Sequence, residues 1–292
     1  MRKSSSEYRG RFAPSPSGSL HFGSLIAAVA SYLDAKAHQG KWLLRIEDID
    51  QARVQAGAIQ SILQTLESYG FAWDEEILYQ SQRFEHYQKA LDYLIQQQQS
   101  YPCSCTKKII QQTAKLGKYG WIYAGTCRQS LANPQAKQYA YRLKCNDLVI
   151  TFEDKLKGKQ SQNVLSEVGD FVLKRSDGVF AYQLAVVLDD AYQNISHIVR
   201  GEDLLDNTAR QIYLQQLLKL PTPEYLHFPI AKDKTGRKLS KSNHAPEIKI
   251  TDKLENIHKA LQFLGQQPPK ITDFEHMDDL WKWAITHWNR DK

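Results

Sequence analysis

The order strand, turn, helix at the start of this chain constrains its fold more than any other feature. Arg9 to Ala13 is short and extended, Pro14 to Gly18 must be a turn or loop, and Phe22, Leu25, Ile26, Val29 and Leu33 follow at helical spacing. Two prolines among serines and a glycine can extend neither a ladder nor a helix, whereas apolar residues three and four apart give a helix one buried face. Gly40 ends that helix, and Lys41 to Ile46 reads as a second strand. Ile59, Ile62, Leu63, Leu66 and Tyr69 mark another helix stopped by Gly70, and a long one is expected from Arg83 to Gln99. Short apolar strands alternating with amphipathic helices specify a parallel sheet covered by helices, an α/β fold.

The alternation breaks at Tyr101. From there to about Tyr182 come all four cysteines and irregular β-like runs, Leu148 to Phe152 and Asp170 to Lys174, read as an insertion between two halves of the sheet. The pattern resumes with Ile195 to Val199, a helix near Thr208 to Leu218 and the approach to Pro229 and Ile230. Asp279 to Asn289 reads as a short helix with Trp281, Ile285 and Trp288 on one packing face. The expected division is 8–100 and 183–245 for the two halves of one domain, 101–182 for the insertion and 246–292 for a short helical tail.

Composition narrows the function classes. With 42% hydrophobic and 24% charged residues, the chain is neither disordered, collagenous nor a coiled coil. Its longest apolar stretch, Leu25 to Ala30, is far short of the ~18 residues of a membrane span. Met1, Arg2 and Lys3 are followed by serines and not by the apolar core of a signal peptide. A soluble, cytoplasmic protein without membrane contact is expected. The net charge of +6 is unevenly placed. Tyr93 to Asn146 holds no Asp or Glu but carries Lys107, Lys108, Lys115, Lys118, Arg128, Lys137, Arg142 and Lys144. A phosphate backbone is the natural partner of such a segment.

Cys103 and Cys105, then Cys127, offer three thiolates toward one structural Zn²⁺. Bunched cysteines in a reducing compartment point to metal before disulfide. Tyr123 and Cys145 are both candidates for the fourth ligand. A catalytic thiol is not expected, because no His lies near in sequence.

Two segments carry the chemistry. Arg11 to Ser24 leads a strand through a Gly/Ser/Pro loop into a helix, where free backbone N–H groups and the positive helix end can seat a phosphate. His21 adds a side-chain donor and Gly23 a gap admitting a nucleotide. Far downstream, Lys238-Leu-Ser240-Lys241-Ser242 follows Lys232, Lys234 and Arg237. Two lysines three apart on a loop can stabilise charge as pyrophosphate leaves.

Together these segments resemble the HIGH and KMSKS signatures of class I aminoacyl-tRNA synthetases, in the right order and separation. Ser24 stands where the second histidine would be, and Leu239 where the methionine would be. Arg11 to Ser15, Arg45 to Asp48 with Asp50, Tyr182 to Ala185 with Asp189 and Asp190, and Val199 to Asp203 are similar to glutamyl-tRNA synthetase segments. The resemblance implies a Rossmann-like catalytic domain split by an insertion. It places Arg11, Phe12, Ala13, Pro14, Ser15, Glu47, Tyr182 and Arg200 in a glutamate pocket. It assigns His21, Gly23, Lys238, Ser240 and Lys241 to ATP, which brings Mg²⁺, with His21 and Lys241 catalytic. The chemistry agrees, since two carboxylates call for arginines and an ammonium for Glu47. Which arginine takes which carboxylate stays open.

By the same resemblance Tyr123 becomes the expected fourth zinc ligand, beside Cys103, Cys105 and Cys127. Fifty residues follow Ser242, where a glutamyl-tRNA synthetase would continue with an anticodon-binding domain. That shortness resembles the glutamyl-queuosine branch of the family. It implies a monomer that activates glutamate without tRNA and esterifies it to the queuosine base in the anticodon stem-loop of tRNA(Asp). A shortened glutamyl-tRNA synthetase, an enzyme passing glutamate to a protein or small molecule, and a non-catalytic RNA-binding module are the alternatives.

Overall fold

The computed structural model describes residues 7–118, 120–231 and 246–292. β1 (Arg9–Phe12), α1 (Phe22–Ala37), β2 (Lys41–Ile46), α2 (Ala58–Ser68) and β3 (Leu78–Tyr79) build a parallel sheet in the order β1-β2-β3. α3 (Phe84–Gln96) stops short of the expected Gln99. Gln98 turns left-handed (φ 56°), and the amides of Gln98 and Gln99 bond back to Ile95 and Leu94. That arrangement caps the helix and sends the chain straight into a strand.

β4 (Ser100–Cys103), α4 (Lys107–Thr113), β5 (Lys115–Gly117), β6 (Gly120–Ile122), β7 (Ala140–Leu143), β8 (Val149–Asp154), β9 (Gly158–Asn163) and β10 (Val172–Lys174) follow. β10-β7-β4 form an antiparallel sheet, and β5-β6 a separate hairpin. Next come α5 (Tyr182–Tyr192), β11 (His197–Gly201), α6 (Leu205–Leu218) and β12 (Glu224–Phe228). The β8-β9 hairpin does not stay with its sequence neighbours. β8 runs parallel to β12 through Asp154 and Tyr225, giving the sheet order β11-β12-β8-β9. α5 escapes periodicity because Leu184 to Val187 are all buried, leaving no polar stripe to define a face.

This mixed sheet meets the parallel one along β11 and β1, where the amide of Ser196 bonds the Arg9 carbonyl at 3.0 Å. Strand order therefore reverses between β1 and β11, and ligands of open α/β sheets bind outside the strand ends at such a switch point. Alternation along each strand sorts two cores. Trp42, Leu44, Ile46, Leu226 and Phe228 share one with α1, α2, α7 (Lys253–Phe263) and α8 (Met277–His287). Leu43, Ile198 and Tyr225 share the other with α3, α5 and α6. The tail is clamped onto the first core. Trp281 meets Tyr32 and Phe71 with ring centroids 5.0 Å apart, and Trp288 donates to the buried Asp34 carboxylate at 2.9 Å. Among the described residues no helix is long and apolar enough to cross a membrane.

Candidate active site

Alternation that buries Leu43 and Tyr225 also turns Arg11, Arg45, Arg200 and His227 toward α5, so a charged layer lies beneath it. Asp190 of α5 is its hub. Its carboxylate accepts from Arg11 Nε at 3.0 Å and Arg45 Nη1 at 2.8 Å. Arg45 also donates to Gln193 at 2.9 Å, and its Nη2 lies 3.5 Å from Glu47. Burial pushes the Asp190 carboxyl up, but Arg11 and Arg45 overcome it and hold it below the usual carboxylate range. Glu47 goes the other way. Burial dominates and raises it to about 7, with Arg45 and Arg11 offsetting only part of the cost. The adjacent Asp189 points instead to Arg83, Gln80 and Tyr87, at 2.6, 2.9 and 2.7 Å, tying α3 to α5.

Arg200, on β11, is held from behind. Its Nε donates to His227 at 2.9 Å and its Nη2 to Thr208 at 2.9 Å, while His227 Nδ1 lies 2.6 Å from Asp154. Nη1 of Arg200 is buried with no hydrogen-bond partner among the described residues. Both arginines are thus fixed along one edge. A buried guanidinium nitrogen without a partner is costly.

A cavity of about 590 Å³ opens at the switch point. Arg11, Phe12, Ala13, Pro14 and Ser15 line it from the end of β1, His21 and Gly23 from the start of α1, Glu47 from the end of β2, Tyr182 from α5 and Arg200 from β11. His21 is the N-cap of α1, its ring accepting the Ser24 amide at 3.2 Å, and no acidic residue occupies the first turn. That helix end is electrostatically suited to an anion. Ser24, the departure from the family signature, places its hydroxyl 3.1 Å from the other ring nitrogen of His21. Lys238, Ser240 and Lys241, with Lys232, Lys234 and Arg237, lie outside the described residues. Arg45, Asp154, Asp190, Thr208 and His227 received no role from sequence. Arg45 and Asp190 stand within the segments similar to glutamyl-tRNA synthetases, and a lone His inside the apolar Tyr-Leu-His-Phe strand was the available signal for His227.

Sulfur atoms of Cys103, Cys105 and Cys127 lie within 4.8 Å of one another. The Tyr123 hydroxyl stands 3.4 Å from Cys103 and 3.3 Å from Cys105, completing a four-donor cluster. Cys145 faces elsewhere, donating to the Gly169 carbonyl at 3.2 Å within the second core. Arg142 lies over the Tyr123 ring at 4.0 Å and donates to Cys103 Sγ at 3.3 Å. Against the burial that opposes ionisation, the amides of Ala132 and Ser104 bring the Cys127 thiol down to about 6.

Two of the eight cations in the acid-free segment are structural. Arg128 is bonded bidentately to buried Asp170 at 2.6 and 2.7 Å, and Arg142 is buried on the cysteine cluster. Lys107, Lys108, Lys115, Lys118, Lys137 and Lys144 are exposed.

Residues 7–288 match the family described as tRNA synthetases class I (E and Q), catalytic domain. A Neisseria meningitidis protein named glutamyl-Q tRNA(Asp) synthetase is 47% identical over 287 residues, spanning 98% of this chain and 97% of its own length. One of the same name from Thiobacillus denitrificans is 48% identical over 280 residues, spanning 96% and 93%. Among solved structures, a glutamate-tRNA synthetase from Elizabethkingia anophelis is similar with a TM-score of 0.80 at 25% identity, covering 98% of this chain but 66% of that one.

Proposed function

The chain belongs to the class I tRNA synthetases of the E and Q type, and on that premise we propose that it activates glutamate with ATP and transfers it to queuosine in the anticodon loop of tRNA(Asp). The observation that carries the amino-acid part is the pair Arg11 and Arg200, each anchored along one edge in a cavity that also holds Glu47. Two guanidinium groups suit two carboxylates, and a carboxylate suits an ammonium. The acceptor is supported by relatives bearing that function in their names across nearly their whole length.

ATP, accompanied by Mg²⁺, lies with its phosphates against the start of α1. The glutamate α-carboxylate attacks the α-phosphorus in line and pyrophosphate departs. His21, the helix end and Lys241 stabilise the charge that spreads over the phosphate oxygens. Phe12, Ala13, Pro14, Ser15 and Tyr182 wall the amino acid, while Gly23, Lys238 and Ser240 face the nucleotide. Activation proceeds without tRNA, in a cytoplasmic monomer. A queuosine hydroxyl then attacks the acyl carbon and releases AMP.

The donor set Cys103, Cys105, Cys127 and Tyr123 fits one tetrahedral Zn²⁺, which when bound would tie β4 to the segment after β6. Its role is structural, because four protein donors leave no position for substrate.

The test is acceptor identification with labelled glutamate and ATP. An anticodon stem-loop carrying queuosine is expected to take the label, and the same fragment with guanosine is not. Label on the guanosine fragment, or only on tRNA with an intact 3′ adenosine, would replace this reading by a shortened glutamyl-tRNA synthetase. Equal use of glutamine in ATP–pyrophosphate exchange would refute the pocket assignment.

A further inference from the structure

The β5-β6 hairpin carries two large apolar side chains on its outer surface. Leu116 and Trp121 are directly opposed across the strands and are 72% and 51% exposed. Opposed residues of an antiparallel pair share one face, so the two form a single platform. Ile122, on the other face, turns inward against Gly169. Exposing an indole and a leucine side by side on a small hairpin has no packing advantage, and such a surface marks contact with a partner.

Three neighbouring features define that partner. Lys118, in the turn that joins β5 to β6, is exposed and lies within the acid-free segment. Trp121 also lines a cavity of about 220 Å³, walled by Phe171, Arg142 and Arg210 of α6 and by the carboxylates of Glu167 and Asp170. Arg210 Nε has no hydrogen-bond partner among the described residues. An aromatic face, an exposed lysine at the hairpin turn and the guanidinium of Arg210 in the adjoining cavity are together the chemistry that recognises a nucleotide.

Position says which nucleotide. Arg210, which lines the same cavity as Trp121, stands in the second turn of α6. Asp203 and Leu204, just before α6, line the mouth of the catalytic cavity. At ~1.5 Å of rise per helical residue, the hairpin stands beside that mouth. We propose that a base flanking the one that enters the catalytic cavity stacks on Trp121 and meets Arg210. This rests on the reading that the acceptor is an RNA loop. The hairpin leads directly into Tyr123, so the cysteine cluster sets the platform's orientation.

The experiment is equilibrium binding of a fluorescein-labelled, queuosine-containing anticodon stem-loop, followed by anisotropy. Trp121→Ala is expected to bind about 10- to 100-fold more weakly, with Trp121→Phe restoring most of the affinity. Arg210→Met should weaken binding, and zinc content and thermal midpoint should stay at wild-type values in the tryptophan variants. Unchanged affinity in Trp121→Ala overturns the subsite. If that variant loses zinc, Leu116→Asn decides, because its side chain is largely solvent-exposed: weaker binding supports the platform and unchanged binding overturns it. Concentration-dependent self-association of the wild type that Trp121→Ala abolishes in sedimentation, with RNA affinity retained, would reassign the platform to a second copy of the chain. Wild-type exchange with glutamate in the absence of RNA tests the activation reading separately.

Discussion

His227 accepts the Nε–H of Arg200 at 2.9 Å on one ring nitrogen, while its other ring nitrogen stands 2.6 Å from the Asp154 carboxylate. Arginine can only donate, so His227 must be neutral with its proton on Nδ1. Burial, with the Arg200 charge beside it, pushes His227 down to about 4 and keeps it in that state. Asp154 enforces the tautomer. Its carboxylate also takes the amides of Leu156 and Lys157 at 3.1 and 2.9 Å, donors that cannot reverse.

Asp154→Asn is therefore expected to disarm Arg200 without touching it. The amide keeps its oxygen on the backbone donors and turns NH₂ toward Nδ1, which moves the imidazole proton to face Arg200. Losing a hydrogen bond to a charged group costs about 1.5–3 kcal/mol, read as a glutamate KM raised at least about tenfold in ATP–pyrophosphate exchange. ATP KM should hardly move. A lowered thermal midpoint with unchanged glutamate KM would reduce Asp154 to a purely structural residue.

The same histidine makes stability depend on pH. An unfolded His takes a proton below its ordinary pKa of 6.5, whereas folded His227 refuses it until about 4. The unfolded state binds more protons across that interval, so this contribution is complete above pH 6.5 and declines as pH falls toward 4. Urea unfolding of the wild type and His227→Gln should differ in slope against pH only in that window. Parallel curves would mean that His227 titrates normally.

Glu47 imposes a pH dependence on substrate binding. With its carboxyl raised to about 7, it is ionised and able to receive an ammonium above that pH and progressively neutral below it. Glutamate KM should rise about tenfold per unit as pH drops below 7, the slope of a single required deprotonation. Glu47→Gln should show a high KM with no such slope. An inflection that persists in the variant would belong to another group.

The first half of the sheet was open to reading because each element there has a one-face signature. Trp42, Leu44 and Ile46 alternate along β2, and Leu25, Ile26, Val29 and Leu33 stripe α1. α7 was not singled out within the expected helical tail, although Leu254, Ile257, Leu261 and Leu264 keep helical spacing. The charged layer was not open to reading. Arg11 and Arg45 reach Asp190 across 179 and 145 residues, and His227 reaches Asp154 across 73, separations that local pattern does not encode. β8-β9 could not be placed by neighbourhood in sequence, because its sheet partner β12 arrives two helices later.

Metal content should discriminate the two candidates for the fourth zinc ligand. Tyr123→Phe removes the hydroxyl that stands among the sulfurs, whereas Cys145→Ser alters a group bonded to Gly169. Loss of most zinc from the first and full retention by the second is expected, and the reverse pattern would transfer the role to Cys145. Chelation of the wild type should lower the thermal midpoint, because structural zinc contributes folding free energy.

The salt dependence of RNA binding should follow the exposed lysines and ignore the arginines. Composition assigns eight cations to this segment, but Arg128 is committed to Asp170 and Arg142 to the cysteine cluster. Only cations that neutralise phosphates release counterions, each adding roughly 0.7–0.9 to the slope of log K against log salt. Lys107→Ala combined with Lys108→Ala should therefore flatten the slope by up to about 1.8 while leaving the thermal midpoint in place. Arg128→Ala should do the opposite. It removes the bidentate partner of a fully buried carboxylate, a loss of about 1–3 kcal/mol of stability, with the slope unchanged wherever the insertion stays folded. A flattened slope in a folded Arg128→Ala protein would show that this guanidinium reaches the RNA despite its ion pair.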